Sequence, residues 1–164
     1  MVKSIQQLKD ALQQETDLYK DVLKTAVEKT QVIKAGQLKA LEEITKKEQI
    51  YIRTMATFEK IRRSIFMTME NELGISGLGT ISELLLHLDD QDVEDIDKLR
   101  TEVLDIIKSL TEANELNEKL IQQNLDIINF NMEVMTSLAE MNSNYSGSDK
   151  GKNKAVTSLL DMKV

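Results

Sequence analysis

Apolar side chains recur every three or four positions through most of the 164 residues, the spacing of one face of an α-helix. In the first segment Ile5, Leu8, Leu12, Tyr19, Val22, Ala26 and Ile33 mark that face, and Leu18, Leu23 and Val27 widen it. A stripe that wide suits a bundle helix better than a two-stranded seam. Ser4 with Gln7 three residues on forms a capping-box pattern at its start. Gly36 either ends this helix or sits inside a continuous one. A second segment, 37–73, keeps the period through Leu38, Leu41, Ile44, Ile52, Met55, Phe58, Ile65, Phe66, Met69 and Leu73, and Gly74 follows as a stop. GISGLGT (74–80) reads as a connector, and Thr80 with Glu83 forms a second capping box before a short apolar helix over 81–88. Asp92 is expected to cap the next helix, with Glu94, Asp95 and Asp97 at its positive end.

The third long segment, 93–142, carries a sustained seven-residue repeat. One seam position reads Ile96, Val103, Leu110, Asn117, Asn124, Asn131, Leu138, and the other reads Leu99, Ile106, Ala113, Leu120, Ile127, Val134, Met141. At ~1.5 Å per residue a helix of about fifty residues would extend roughly 75 Å. The tail changes character: 146–154 is small and polar, and Val156, Leu159 and Leu160 then restore a brief helical pattern. The expectation is an all-α, elongated antiparallel helical bundle or coiled coil of three long helices and one short one over residues 1–143. A flexible tail with a short amphipathic segment follows over 144–164.

Composition narrows the function. The formal charge is −7, aromatic residues make up 4%, and proline, cysteine and tryptophan are absent. An acidic chain poor in rings does not suit nucleic acid, which needs a cationic face. Without thiols there is no disulfide framework, thiolate zinc site or cysteine nucleophile. MVKSIQQLKDALQQ lacks the apolar run of a secretory leader, and no stretch reaches the ~20 apolar residues of a membrane span, so a cytoplasmic location is expected. His87 is the only histidine, four residues from Glu83, and has no second histidine to complete a Glu-x-x-His metal pair. GISGLGT lacks the Lys of a phosphate loop. No enzyme, cofactor or metal is expected. The acidic run 89–97 reads as a solvated turn and helix start, or as a dock for a basic partner.

Two oddities remain. Polar residues fall on apolar seams: Glu48, Glu59 and Arg62 in the second segment, and Asn117, Asn124 and Asn131 in the third, with Asn114 beside them. Buried polar groups need hydrogen-bond partners, so Glu59, Arg62, Asn114 and Asn117 are expected to form a structural polar layer that fixes register. The alternative is that the Asn positions face outward to receive another helix. The other oddity is the placing of Met69, Met132, Met135, Met141 and Met162 late in helices or in the tail. Flexible thioethers serve as core filler or as adaptable binding surface. If the third helix outruns its partners, Met132, Met135, Leu138 and Met141 are left for a helical client.

Taken in order, these segments resemble the FlgN-like family of flagellar export chaperones. The likeness rests on the turn at Lys34-Ala35-Gly36-Gln37, on FEKIRR with Glu59 and Arg62, and on Leu73-Gly74 before a glycine-bearing connector. It continues through the Thr-Ile-Ser-Glu-Leu helix start at 80–84, then Asn114, Asn117, Leu120 and Ile121, then Tyr145 and Gly147, and the terminal SLLDMKV. The resemblance implies a chaperone of the hook–filament junction proteins FlgK and FlgL. It would bind them in the cytoplasm before type III export, prevent premature assembly and deliver them to the gate component FlhA. It implies client binding by Val156, Leu159 and Leu160 and gate docking by Tyr145. A monomer or small homo-oligomer is expected, with no nucleic acid and no membrane insertion. The competing readings are a self-assembling structural coiled coil, which the heptads would allow, and a chaperone of another secretion client.

Overall fold

In the computed structural model, which describes residues 3–145, four helices follow one another: α1 (Ile5–Ala35), α2 (Leu38–Leu73), α3 (Ile81–Leu85) and α4 (Asp90–Tyr145). No strand occurs among the described residues, and the all-α bundle expected from the apolar periodicity is the fold. Residues 146–164, with Val156, Leu159 and Leu160, lie outside the described residues. The compact packing divides α4: one unit runs to Ile121 and a second begins at Gln122.

Local chemistry sets the boundaries. Gly36 takes φ +66°, a left-handed conformation costly for other residues. Its N–H donates to the Ile33 carbonyl at 3.1 Å and that of Gln37 to the Val32 carbonyl at 3.2 Å. These are the paired bonds of a Schellman stop, so Gly36 ends α1. Gly74 ends α2 at φ +67°, where its own N–H and that of Ile75 both turn back to the Glu70 carbonyl. At α3 the capping box is complete. Glu83 N–H donates to Thr80 Oγ1 at 3.2 Å, while Glu83 Oε2 accepts from the N–H groups of Gly79 and Thr80 at 2.8 and 3.1 Å. Those two backbone bonds lower the Glu83 carboxyl below its ordinary pKa.

Three local expectations are corrected. Ser4 precedes α1 in a helical conformation and its side chain makes no cap bond; its N–H goes instead to Glu72 Oε2 across the bundle at 3.2 Å. The short helix α3 stops at Leu85 rather than 88, because Leu86 and His87 N–H bond back only three residues, to the Glu83 and Leu84 carbonyls. The cap of α4 is Asp89, whose Oδ1 accepts from Asp92 N–H at 3.0 Å. The helix therefore starts three residues earlier than expected, and Asp92 is free to meet Lys9.

The paired side chains give the topology. From α1 to α2 the contacts Ser4–Glu72, Glu15–Arg62, Thr25–Tyr51 and Lys29–Glu48 run in opposite directions. From α1 to α4 the contacts Lys9–Asp92, Lys20–Glu102 and Thr30–Asn117 run the same way. The first unit is thus an up–down–up bundle with α4 parallel to α1.

Its core lies where the start of α1, the end of α2, α3 and the start of α4 meet. Ile5, Leu8, Leu12, Ile65, Phe66, Met69, Leu84 and Ile96 are buried there, with Leu73, Leu78, Leu88 and Leu99 packed against them. Burying each large side chain contributes about 1.5–3 kcal/mol. Toward the Gly36 turn the buried set becomes smaller and more polar: Thr25, Ala26, Thr30, Val32, Ile33 and Ile44.

Lys9 clamps α1 onto the first turns of α4, with Nζ 2.8 Å from Asp92 and 2.7 Å from Asp95. Hydrogen bonds to Asp92 and then Asp95 raise the Lys9 ammonium above its ordinary pKa. The Lys9 bond holds the Asp95 carboxyl below its own. A depressed carboxylate contributes stability above its unfolded value, about 3.9, and loses it as pH falls through the folded value. A raised amine holds its contribution below about 10.4 and loses it only above that. We expect the Lys9–Asp95 contact to hold through the neutral range and to lose its contribution only as pH falls below the ordinary carboxylate range. In thermal melts across pH 2–7, Asp95→Asn should show a shallower acid-side loss of midpoint than the wild type. Parallel curves would show that the clamp contributes nothing.

Candidate partner-binding face

The four residues expected to form one polar layer do not come together. Arg62 Nη1 donates to both carboxylate oxygens of Glu15 at 2.9 Å, and Glu15 is 9% exposed. Glu59, one turn before Arg62, points to solvent, because the arginine reaches inward to α1 rather than along its own helix. Tyr19 lies near this pair, and burial raises its phenol pKa, helped by the Glu15 charge and opposed by Arg62. Asn117 is 3% exposed. Its Nδ2 donates to the Ala26 carbonyl at 2.9 Å and its Oδ1 accepts from the Thr30 hydroxyl at 2.5 Å. Asn114, three residues earlier, is exposed, since that rotation turns it off the α1 side. The layer is two separate devices, an ion pair between α1 and α2 and an amide contact between α1 and α4. Glu15 and Thr30, their α1 partners, were not singled out by sequence. Glu48, also in phase with the α2 core, pairs with Lys29 at 2.9 Å.

The acidic run is mostly consumed within the fold. Asp89 caps α4, Asp92 and Asp95 hold Lys9, Glu94 meets Lys98 at 2.9 Å and Asp97 meets Arg100 at 3.5 Å. His87 is exposed beside Leu86 on the connector side of α3. Among the described residues no group of three or more His, Cys, Asp or Glu is placed to hold a metal ion. None of their helices is long and apolar enough to cross a membrane.

The heptad seam of α4 changes state along its length. Through Ile96, Leu99, Val103, Ile106, Leu110, Ala113, Asn117 and Leu120 every seam residue is buried or half-buried. From Asn124 through Ile127, Asn131, Val134, Leu138 and Met141 every one is exposed. The reason lies in the first unit. Asn117 stands beside Thr30, and α1 ends at Ala35. A parallel neighbour rising by ~1.5 Å per residue is therefore used up about five residues after Asn117.

Residues 122–145 form a helical stretch with a broad bare apolar face. Ile127, Phe130, Val134, Leu138, Met141 and Tyr145 follow one another at three- and four-residue steps, and Leu125, Ile128, Met132 and Met135 make a second stripe. At about 100° per residue the two stripes together span roughly 220° of the circumference. Phe130 is 63% exposed, Met135 71% and Tyr145 91%. Met132, Met135, Leu138 and Met141, expected at a client face, all sit on these stripes. Leu125, Ile127, Ile128, Phe130 and Val134 belong beside them. The signal for them was available: the seam repeat outlasts the reach of the first helix.

This arrangement can be set beside known proteins. The family model described as FlgN protein matches residues 1–154, which includes all of the described residues. The chain belongs to the FlgN family. It is 30% identical over 135 residues to the uncharacterized protein YvyG of Bacillus subtilis (strain 168), covering 82% of each chain. No solved structure matches. FlgN proteins are flagellar export chaperones, and several of the described residues that carried the resemblance are structural parts of this FlgN chain. Gly36 and Gly74 stop helices, Arg62 and Asn117 tie α1 to its neighbours, and Thr80 caps α3.

Two stability outcomes follow. Arg62→Ala leaves the Glu15 carboxylate in a nearly closed site without its partner and should cost about 1–3 kcal/mol; Glu59→Ala should stay within about 0.5 kcal/mol. Equal denaturation midpoints for both variants would remove the inter-helix role of Arg62. The double variant Phe130→Ser, Val134→Ser should leave the main thermal transition within about 2 °C of wild type, since exposed positions contribute little to folding. A drop of ~8 °C or more would mean that these side chains are needed by the fold itself.

Proposed function

We propose that this FlgN-family chain binds the terminal helices of the hook–filament junction proteins FlgK and FlgL in the cytoplasm before type III export. It keeps them from assembling early and passes them to the export gate component FlhA. The observation that carries this reading is the bare apolar face of residues 122–145. Contiguous exposed apolar surface of this kind marks an interaction site, and stripes at helical spacing accept a helix laid alongside. Met132, Met135 and Met141 suit it to more than one client, because unbranched thioethers re-pack at little cost. Val156, Leu159 and Leu160 are proposed to add contacts from the tail, and Tyr145 to meet the gate.

The uninterrupted heptads favour one other reading, a self-assembling coiled coil. Co-purification with FlgK and FlgL separates the two. The chaperone reading expects retention of at least one junction protein and a chain that is monomeric or dimeric by light scattering. Deleting residues 144–164 should leave helicity and melting nearly unchanged while weakening client binding tenfold or more, about 1.4 kcal/mol. Retention of neither protein, together with concentration-dependent filaments, would establish the scaffold instead.

A further inference from the structure

The stripe Ile127, Phe130, Val134, Leu138, Met141 is bordered by two polar columns of different chemistry. On one border stand Asp126, Glu133 and Glu140, seven residues apart. No lysine or arginine occurs between Lys119 and Lys150, so this stretch offers those carboxylates no cation of its own. On the other border stand Asn124 and Asn131, also seven apart and exposed. At about 100° per residue the two columns lie roughly on opposite sides of the helix, with the stripe between them.

Asn124 and Asn131 repeat the heptad position of Asn117, and the first unit shows what an asparagine at that position recognises. Asn117 donates to the carbonyl of Ala26 and accepts from the hydroxyl of Thr30, four residues further along the same neighbouring helix. A leucine in place of Thr30 would leave the amide oxygen dry and unpaired, a penalty larger than the gain from the bond itself.

We infer that the face of residues 122–145 selects a helix of defined chemistry. Its occupant presents a Thr or Ser to Asn124 and another to Asn131, seven residues apart, and carries Lys or Arg along its opposite edge to meet Asp126, Glu133 and Glu140. This rests on the chaperone reading and adds to it the rule by which a client is told from other apolar helices. The asparagines reject an all-aliphatic seam by the unpaired polar groups it would create. The acidic column favours a cationic edge, which a second copy of this stretch cannot supply.

The test uses the full chain and three labelled synthetic helical peptides of equal length with a leucine seam. The first carries Thr at two seam positions seven apart and Lys along one edge. The second replaces both Thr by Leu, and the third replaces the Lys residues by Glu. Anisotropy titrations should show the first binding at least tenfold more tightly than either of the others. Asn124→Leu combined with Asn131→Leu should reverse the preference between the first and second peptides. Equal affinities, a preference for the leucine peptide, or no binding with a dimer of the chain in light scattering would each overturn the inference. The peptide comparison on unaltered chain keeps the test decisive even if the double variant folds poorly. Retention of FlgK or FlgL by a chain indifferent to the peptides would remove the selection rule and leave the chaperone reading standing. Discrimination among peptides by a chain that retains neither junction protein would do the converse.

Discussion

The constraint on which this molecule turns is the finite length of α1. Helix α4 has 56 residues and α1 has 31, yet the α4 heptad seam is written almost to its end. A seam buries its apolar side chains only where another helix lies against it. Gly36, in a conformation that L side chains rarely adopt, turns the chain back into α2 and ends the surface that α1 can offer. The same apolar pattern therefore does two jobs. Up to Ile121 it packs the first unit, and from Gln122 it stands bare. On the proposed reading no separate binding motif is required, only a repeat that continues after its internal partner has stopped.

The polar groups within the bundle make that division sharp. Asn117 and the Glu15–Arg62 pair contribute little net stability, because a buried polar contact roughly balances its own desolvation. Their effect is on register. Sliding α4 by one turn along α1 would take Asn117 from both Ala26 and Thr30 and leave its amide nitrogen and oxygen unsatisfied, while Thr30 keeps its bond to the Ala26 carbonyl, at a cost of several kcal/mol. Thr16 behaves differently: its hydroxyl returns to the Leu12 carbonyl at 2.7 Å and leaves a methyl for packing. Among the described residues no buried side-chain polar atom lacks a partner. An interior this thin in large apolar groups is held in one alignment by such satisfied contacts, and that alignment decides where coverage of α4 ends.

Much of this was legible in the residues because it depends on local chemistry. Gly36 and Gly74 stop helices through their own conformational freedom, and Thr80 with Glu83 closes a capping box within four residues. The all-α class follows from apolar spacing alone. What sequence misassigned depended on choices between equivalent local partners. Either Asp89 or Asp92 could cap α4, and the choice was made by Lys9, eighty-three residues from Asp92. Glu59 and Arg62 are both in phase with the α2 core, but the inward partner is the Glu15 carboxylate, which attracts the arginine and repels the glutamate. Periodicity assigned Asn117, Asn124 and Asn131 one position. Their different surroundings depend on where a neighbouring helix ends, which no repeat within α4 records.

A client held on the face of residues 122–145, as proposed, would not compete with the packing of the bundle core. The bundle core around Leu8, Met69, Leu84 and Ile96 shares no residue with the face, so occupying or vacating the face requires no repacking of that core. The helix that carries it is already formed, and less ordering entropy is lost on binding than a disordered segment would lose. Affinity then depends on the apolar area covered and on the few polar partners beside the stripe. Covering such a stripe with an ill-matched helix leaves Asn124 and Asn131 dry, and that penalty subtracts directly from the apolar gain. On the proposed reading, such a face would take a matched helix without repacking the bundle and give it up when a competing surface covers the same residues.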